Sequence, residues 1–187
     1  IDLSSFKNQK NNHQFKNFLI LSRISKSKNL DVSIDAFLSS DFKSENLDII
    51  GGPLNQKDVQ YESYLKEKYR IYNNVKFIGK VPYEKLPSFI KNYDVNFNSA
   101  GIGFFDKSVL ETLSTGLINF YHNQDFDSLY LNHSENYYFT GKEDLTEKIN
   151  NLKFLNDNDL KELFNILNMN LEQHSLETLG DRLSKFI

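Results

Sequence analysis

The chain has 187 residues, enough for one domain or at most a small pair, with a substantial core. Hydrophobic residues make up 39% of it, with 16 Phe, 10 Tyr and no Trp, which excludes a disordered chain. A formal net charge of −3 lacks the basic excess of a dominant nucleic-acid footprint, and the absence of cysteine excludes disulfides, Cys-ligated zinc, iron–sulfur centres and a thiol nucleophile.

Residues 1–14 are polar, rich in Asn and Lys, and read as a linker. The chain opens on Ile1 rather than Met, so it reads as a piece of a longer polypeptide. No signal peptide opens it, and no apolar run reaches the length of a membrane span. Phe18 to Leu21 is a short apolar run with the length of a buried strand, followed by Leu30, Ile34, Phe37 and Leu38 at helical spacing. Leu47 to Ile50 is a second strand, stopped by Gly51-Gly52-Pro53. A helix carrying Tyr61, Tyr64, Leu65 and Tyr72 on one side follows, then a strand from Val75 to Ile78, closed by Gly79. Pro82 stands where a helical turn starts, and Leu86, Phe89 and Ile90 continue that helix. The alternation goes on with a strand at Val95 and Phe97, a helix over 107–115, a strand over 117–121, a short helix over 125–132 and a last short strand over 137–139. The remainder carries helices only, one with Leu160, Leu163, Phe164 and Leu167 at i, i+3, i+4 and i+7, another with Leu176, Leu179, Leu183 and Phe186. Strands alternating with helices predict right-handed βαβ units: an α/β, Rossmann-like, doubly wound parallel sheet of about six strands with helices on both faces. Such sheets bind ligands at the carboxyl ends of the strands, where the strand order reverses.

Four loops fall at such ends. Ser22 to Lys28 follows the first strand, and Arg23 and Lys28 suit a diphosphate there, although a solvated basic loop has the same composition. Gly51-Gly52 and Gly79-Lys80-Val81 let backbone approach a ligand, or simply turn the chain. In Ser99 to Glu111, two glycines lead from a strand into a helix whose free N–H groups suit an anion. Asp106 is placed to cap that helix, and Glu111 sits about one turn into it, either facing solvent or accepting from a ribose diol. The four histidines, His13, His122, His133 and His174, show no ligand spacing, and no Ser–His–Asp set is readable.

Taken together, in this order and spacing, the loops resemble the C-terminal domain of the large retaining glycosyltransferase family with the GT-B fold, glycosyl transferases group 1 of the glycosyltransferase family 4 type. Leu21-Ser22-Arg23-Ile24 through Lys28 and on to Phe37 is similar to its Gly-Arg-Leu…Lys-Gly…Ala-Phe stretch. Ile49 to Pro53 is similar to its glycine turn, Val75 to Val81 with Leu86 to the strand and loop beside the nucleobase, and Asp94-Val95 to a strand start. Asp106-Lys107-Ser108-Val109-Leu110-Glu111 with Gly116 resembles an Asp-Lys variant of its helix motif. The resemblance covers nearly the whole chain.

The resemblance implies the C-terminal half of a GT-B fold, with residues 1–14 as an interdomain linker remnant and 15–187 as a donor-binding domain whose N-terminal acceptor domain is absent. It implies that Arg23 and Lys28 hold the diphosphate and stabilise the departing nucleotide. Gly52, Gly79, Val81 and Leu86 would flank the nucleotide, with the N–H groups of Ser108 and Val109 adding to the cradle and Glu111 on the ribose. Gly103, Phe104, Phe105 and Asp106 would face the donor sugar. Implied too are a UDP- or GDP-linked hexose donor, no metal, no nucleic acid, a glycan or glycolipid acceptor, and a cytoplasmic location, with peripheral contact at the inner membrane face left open. The chain departs from the family at Gly103, where the first Glu of a Glu-x7-Glu motif belongs, at Ser22 and Asn29, which replace glycines, and at Thr112, which replaces Ala. Asp106 is the candidate to substitute for the missing carboxylate. The alternatives are a non-catalytic scaffold domain, favoured by Gly103, and a nucleotide-sugar epimerase, for which only His122 is loosely placed. A dehydrogenase is disfavoured, because no G-x-G-x-x-G opens the first helix.

Overall fold

The structure, a computed structural model, describes residues 2–7, 13–103, 105–175 and Thr178. Five strands, β1 (Asn17–Leu21), β2 (Asn46–Ile50), β3 (Val75–Gly79), β4 (Val95–Asn98) and β5 (Ile118–Tyr121), form one sheet in the order β3-β2-β1-β4-β5. Every pairing is parallel. The chain winds outward from β1 to β3, then returns to lay β4 on the other side of β1. The winding direction therefore reverses between β1 and β4.

Residues in β1, β4 and β5 are almost all buried, as a sheet covered on both faces requires. Alternation sends Phe18, Ile20, Leu47, Ile49, Val95, Phe97, Ile118 and Phe120 into the larger core and Leu19, Leu21 and Ile50 into a second, smaller one. The phenylalanines form a row across the first face: Phe37 of α1 (Leu30–Ser39) lies 5.1 Å from Phe18, which lies 5.8 Å from Phe97, itself 6.1 Å from Phe120. On the opposite face β4 and β5 carry a buried amide network. Asn96 donates to Asn119 Oδ1 at 2.6 Å and accepts from the Leu21 N–H at 3.0 Å, so each amide is hydrogen-bonded, as burial demands.

Helices connect and cover the strands: α2 (Gln56–Lys68), α3 (Leu86–Ile90), α4 (Lys107–Ser114), the short α5 (Asp127–Tyr130) and α6 (Ser134–Tyr137), α7 (Lys142–Asn151) and α8 (Asp157–Leu171). The predicted stripe Leu160, Leu163 and Leu167 is buried in α8, and an Asn156–Asp159 capping box starts that helix. On α2 the buried side is Tyr61 and Leu65, continued by Tyr69; Tyr64 and Tyr72, expected there, are 53% and 39% exposed. Pro82 precedes a 3-10 turn, Tyr83–Lys85, before α3 begins.

One further expectation changes. The sixth strand is a single parallel bridge, Tyr121 to Tyr138, because Tyr137 still belongs to α6. Within the segment read as a linker, Leu3 and Phe6 are buried, and Phe6 joins the smaller core. The stripe Leu176, Leu179, Leu183 and Phe186 lies outside the described residues. Asn29, in place of a family glycine, has φ 46° and ψ 44°, the left-handed conformation that Asn tolerates better than most residues.

Candidate functional site

At the carboxyl ends of β1 to β4, next to the reversal of strand order, the loops enclose a cleft of about 470 Å³. Its floor is apolar, from Leu21, Ile50, Val81 and Leu86, and its walls carry Arg23, Lys28 and Lys80 opposite Asp106, Ser108 and Glu111.

The loops are fastened to each other beyond the strand ends. Ser22 N–H donates to Ile50 O at 3.0 Å, Ile24 N–H to Gly52 O at 3.2 Å and Gly51 N–H to Gly79 O at 2.9 Å. That closeness requires glycine at position 51. Its φ is +139°, and a Cβ there would stand 1.8 Å from the Ser22 carbonyl oxygen. Gly52 and Gly79 lie beside the cleft without lining it.

The cations differ in state. Arg23 is exposed and makes no ion pair among the described residues. Lys28 is 5% exposed, and its Nζ lies 2.6 Å from Asp106 Oδ1. Asp106 Oδ2 accepts from Asn98 Nδ2 at 3.0 Å. Asp106 stands at the N-cap position of α4, as expected, but its side chain makes no capping bond; the buried ammonium takes the carboxylate instead. Ser108, in the first turn of α4, lines the cleft. Val109 does not: its side chain is in the core and its N–H donates to Asp106 O at 3.1 Å.

Glu111 is 6% exposed. Burial raises its pKa above the ordinary glutamate value, opposed by a hydrogen bond from Tyr83 and the charge of Lys107. The Tyr83 hydroxyl donates to Glu111 Oε1 at 3.2 Å, and burial together with that carboxylate pushes the phenol up to about 12.

The predicted donor-sugar loop is less engaged. Gly103 has φ +87° and open space around it, so glycine is there for its conformation and not for a close approach. Phe105 packs on Phe126 at 4.7 Å and His174 at 5.6 Å, outside the cleft lining. Phe104 lies outside the described residues. His122 Nδ1–H donates to Phe139 O at 2.7 Å, and the ring stacks on Tyr138, so the side chain is held in the packing rather than turned to the cleft. Among the described residues no group of three or more His, Asp or Glu is placed to hold a metal ion, and no helix is long and apolar enough to cross a membrane.

The cleft thus gathers Arg23, Lys28, Val81, Leu86, Asp106, Ser108 and Glu111, and adds Lys80 and, behind Glu111, Tyr83. Lys80 was legible by the rule that picked Arg23, a cation just past a strand's carboxyl end. Tyr83 carried no signal, since its partner is 28 residues away in sequence.

The fold is shared with solved glycosyltransferases. Anabaena Alr3699/HepE, determined in complex with UDP, superposes with a TM-score of 0.78 at 16% identity, over 100% of this chain and 55% of that protein. The pneumococcal O-GlcNAc transferase GtfA, in complex with UDP and GlcNAc, gives 0.72 at 14% identity, over 100% of this chain and 37% of that one. The C-terminal domain of the glycosyl transferase group 1 family protein LpcC from Francisella tularensis gives 0.75 at 16% identity, over 94% of this chain and 99% of that one. This chain therefore spans about half or less of the two longer proteins. No curated protein is significantly similar in sequence. The model of the glycosyl transferases group 1 family matches residues 3–162, most of the chain, and the chain belongs to that family.

Proposed function

We propose that the cleft binds a nucleoside-diphosphate sugar, UDP- or GDP-linked, and that the protein transfers the hexose with retention of configuration to a glycan or glycolipid acceptor. The observation that carries this reading is the convergence of Arg23, Lys28 and Lys80 with the α4 N-terminus and a buried carboxylate on one apolar-floored cleft at the strand reversal. Arg23 and Lys28 would hold the diphosphate and stabilise the negative charge that develops as the nucleotide departs. The Ser108 N–H would add to that cradle, Val81 and Leu86 would flank the base, and Glu111 would accept from the ribose diol. Cationic side chains suffice for leaving-group stabilisation, so the reaction as proposed uses no metal. Among the described residues no side chain of the cleft is assigned a general-base role, which suits a reaction accelerated by positioning and leaving-group stabilisation. The acceptor would be held by a preceding domain.

Gly103, where the family has a carboxylate, favours as a second reading a nucleotide-binding domain that performs no transfer. Calorimetric titration with UDP, GDP and ADP tests the first step. One nucleotide is expected to bind, with affinity reduced about tenfold or more in Arg23→Ala and in Glu111→Ala. Absence of binding to all three by the folded protein would remove the donor reading. Binding without sugar transfer, when the domain is joined to an acceptor domain, would favour the second.

A further inference from the structure

The stretch of residues 2–7 reaches the back of the cleft. Asp2 ties it into a compact turn, accepting from Ser4 Oγ and Ser5 Oγ at 2.6 Å each. Ser114, at the end of α4, donates to Leu3 O at 3.2 Å. Phe6 is 1% exposed and packs in the small core with Leu21, Ile50, Leu86 and Val81, the four residues that form the cleft floor. Its ring meets Tyr83 edge to face, centroids 5.7 Å apart and planes at 61°. Tyr83 in turn donates to Glu111 Oε1.

We infer that Tyr83, braced by Phe6, is a positioning residue that aims the Glu111 carboxylate at a ribose hydroxyl pair. This rests on the donor reading above. A glutamate has three side-chain torsions, and fixing them on binding costs entropy that a pre-formed hydrogen bond removes in advance. Tyr83 is 55% exposed, so its own burial does not explain its place. What defines its orientation is the ring of Phe6 on one side and the carboxylate on the other. With Oε1 held, rotation of the carboxylate is restricted and Oε2 is presented in a defined direction.

Discrimination between a nucleotide and its 2′-deoxy counterpart reads this arrangement, because it reports only on the contact to the hydroxyl. Calorimetry with UDP, GDP and ADP and their 2′-deoxy forms is expected to show the wild-type protein preferring the ribose form of its nucleotide by about tenfold. Glu111→Ala should bring that ratio close to one. Tyr83→Phe, which keeps the ring on Phe6 and removes only the hydroxyl, should lower the ratio several-fold. Phe6→Leu should lower it less, and Phe6→Ala is avoided because it opens the core. A loss of general stability would weaken both nucleotide forms alike and leave the ratio unchanged. A wild-type ratio in Tyr83→Phe, with the ratio lost in Glu111→Ala, would overturn the inference and leave the donor reading standing. A ratio unaffected by Glu111→Ala would overturn the inference together with the ribose role of Glu111, and no nucleotide bound by the wild-type protein would overturn the donor reading as well.

Discussion

Glu111 shows how a single residue can work against the fold that holds it. Burial raises its pKa, so between the ordinary glutamate value and this higher one the folded chain binds more protons than the unfolded chain. Stability then falls as pH rises through that window, and ionised Glu111 is a net cost at neutral pH. Glu111→Gln keeps an acceptor for Tyr83 and removes the charge. It is expected to raise the thermal midpoint at pH 7, with the gain vanishing below about pH 4, where the carboxyl is protonated in both states. The same gain at both pH values would show that the charge carries no penalty. In the sequence Glu111 was legible as a helical carboxylate after a glycine loop. Its burial and its tyrosine partner were not, because both are made by segments distant along the chain.

At the scale of elements, the cleft is built by fastening strand ends to one another. The β1, β2 and β3 loops exchange backbone hydrogen bonds past the last sheet pairs, and Gly51 sits where the Ser22 carbonyl leaves no room for a Cβ. Gly51→Ala is therefore expected to cost at least about 2 kcal/mol in urea unfolding, from strain and the required separation of β1 and β2 ends. At Gly52 an added Cβ meets only the flexible stem of Lys80, at 2.8 Å, and Gly52→Ala should cost less than about 1 kcal/mol. Equal costs would mean that the loops separate freely. Two glycines after a strand are a visible turn signal. Which of them is indispensable depends on the carbonyl of another strand. The elements themselves were well read from periodicity, since each apolar run is local. The last strand was the exception: Tyr137 to Phe139 has a strand's composition, yet the α6 turn claims Tyr137 and leaves one bridge.

For the molecule as a whole, residues 2–7 belong to the packed structure. Leu3 and Phe6 are 8% and 1% exposed, and Phe6 packs against the residues of the cleft floor. Removing residues 1–7 is expected to lower stability by at least about 3 kcal/mol, the scale of losing a buried Phe, measured as a shift in the urea midpoint. An unchanged midpoint would show that these contacts add nothing to stability. The polar composition of residues 1–14 hid this, because Ile1, Leu3 and Phe6 among polar neighbours leave no periodic signature. The weakly acidic whole likewise conceals a cleft where three cations meet. Net charge sums over the surface, whereas an anion site depends on a few side chains brought together.

Periodicity and punctuation along this sequence determined by themselves the order of strands and helices, the parallel sheet, and the loops at its carboxyl ends. These are local properties, decided by which side chains recur at period two or 3.6. Only the tertiary structure decided that Lys28 is already paired with Asp106, 78 residues away, that Asp106 does not cap its helix, and that Tyr83 and Phe6 stand behind Glu111. Such contacts join residues from different crossovers of the sheet. They arise when burial forces each polar group in the cleft to find whichever partner the completed fold has placed within reach.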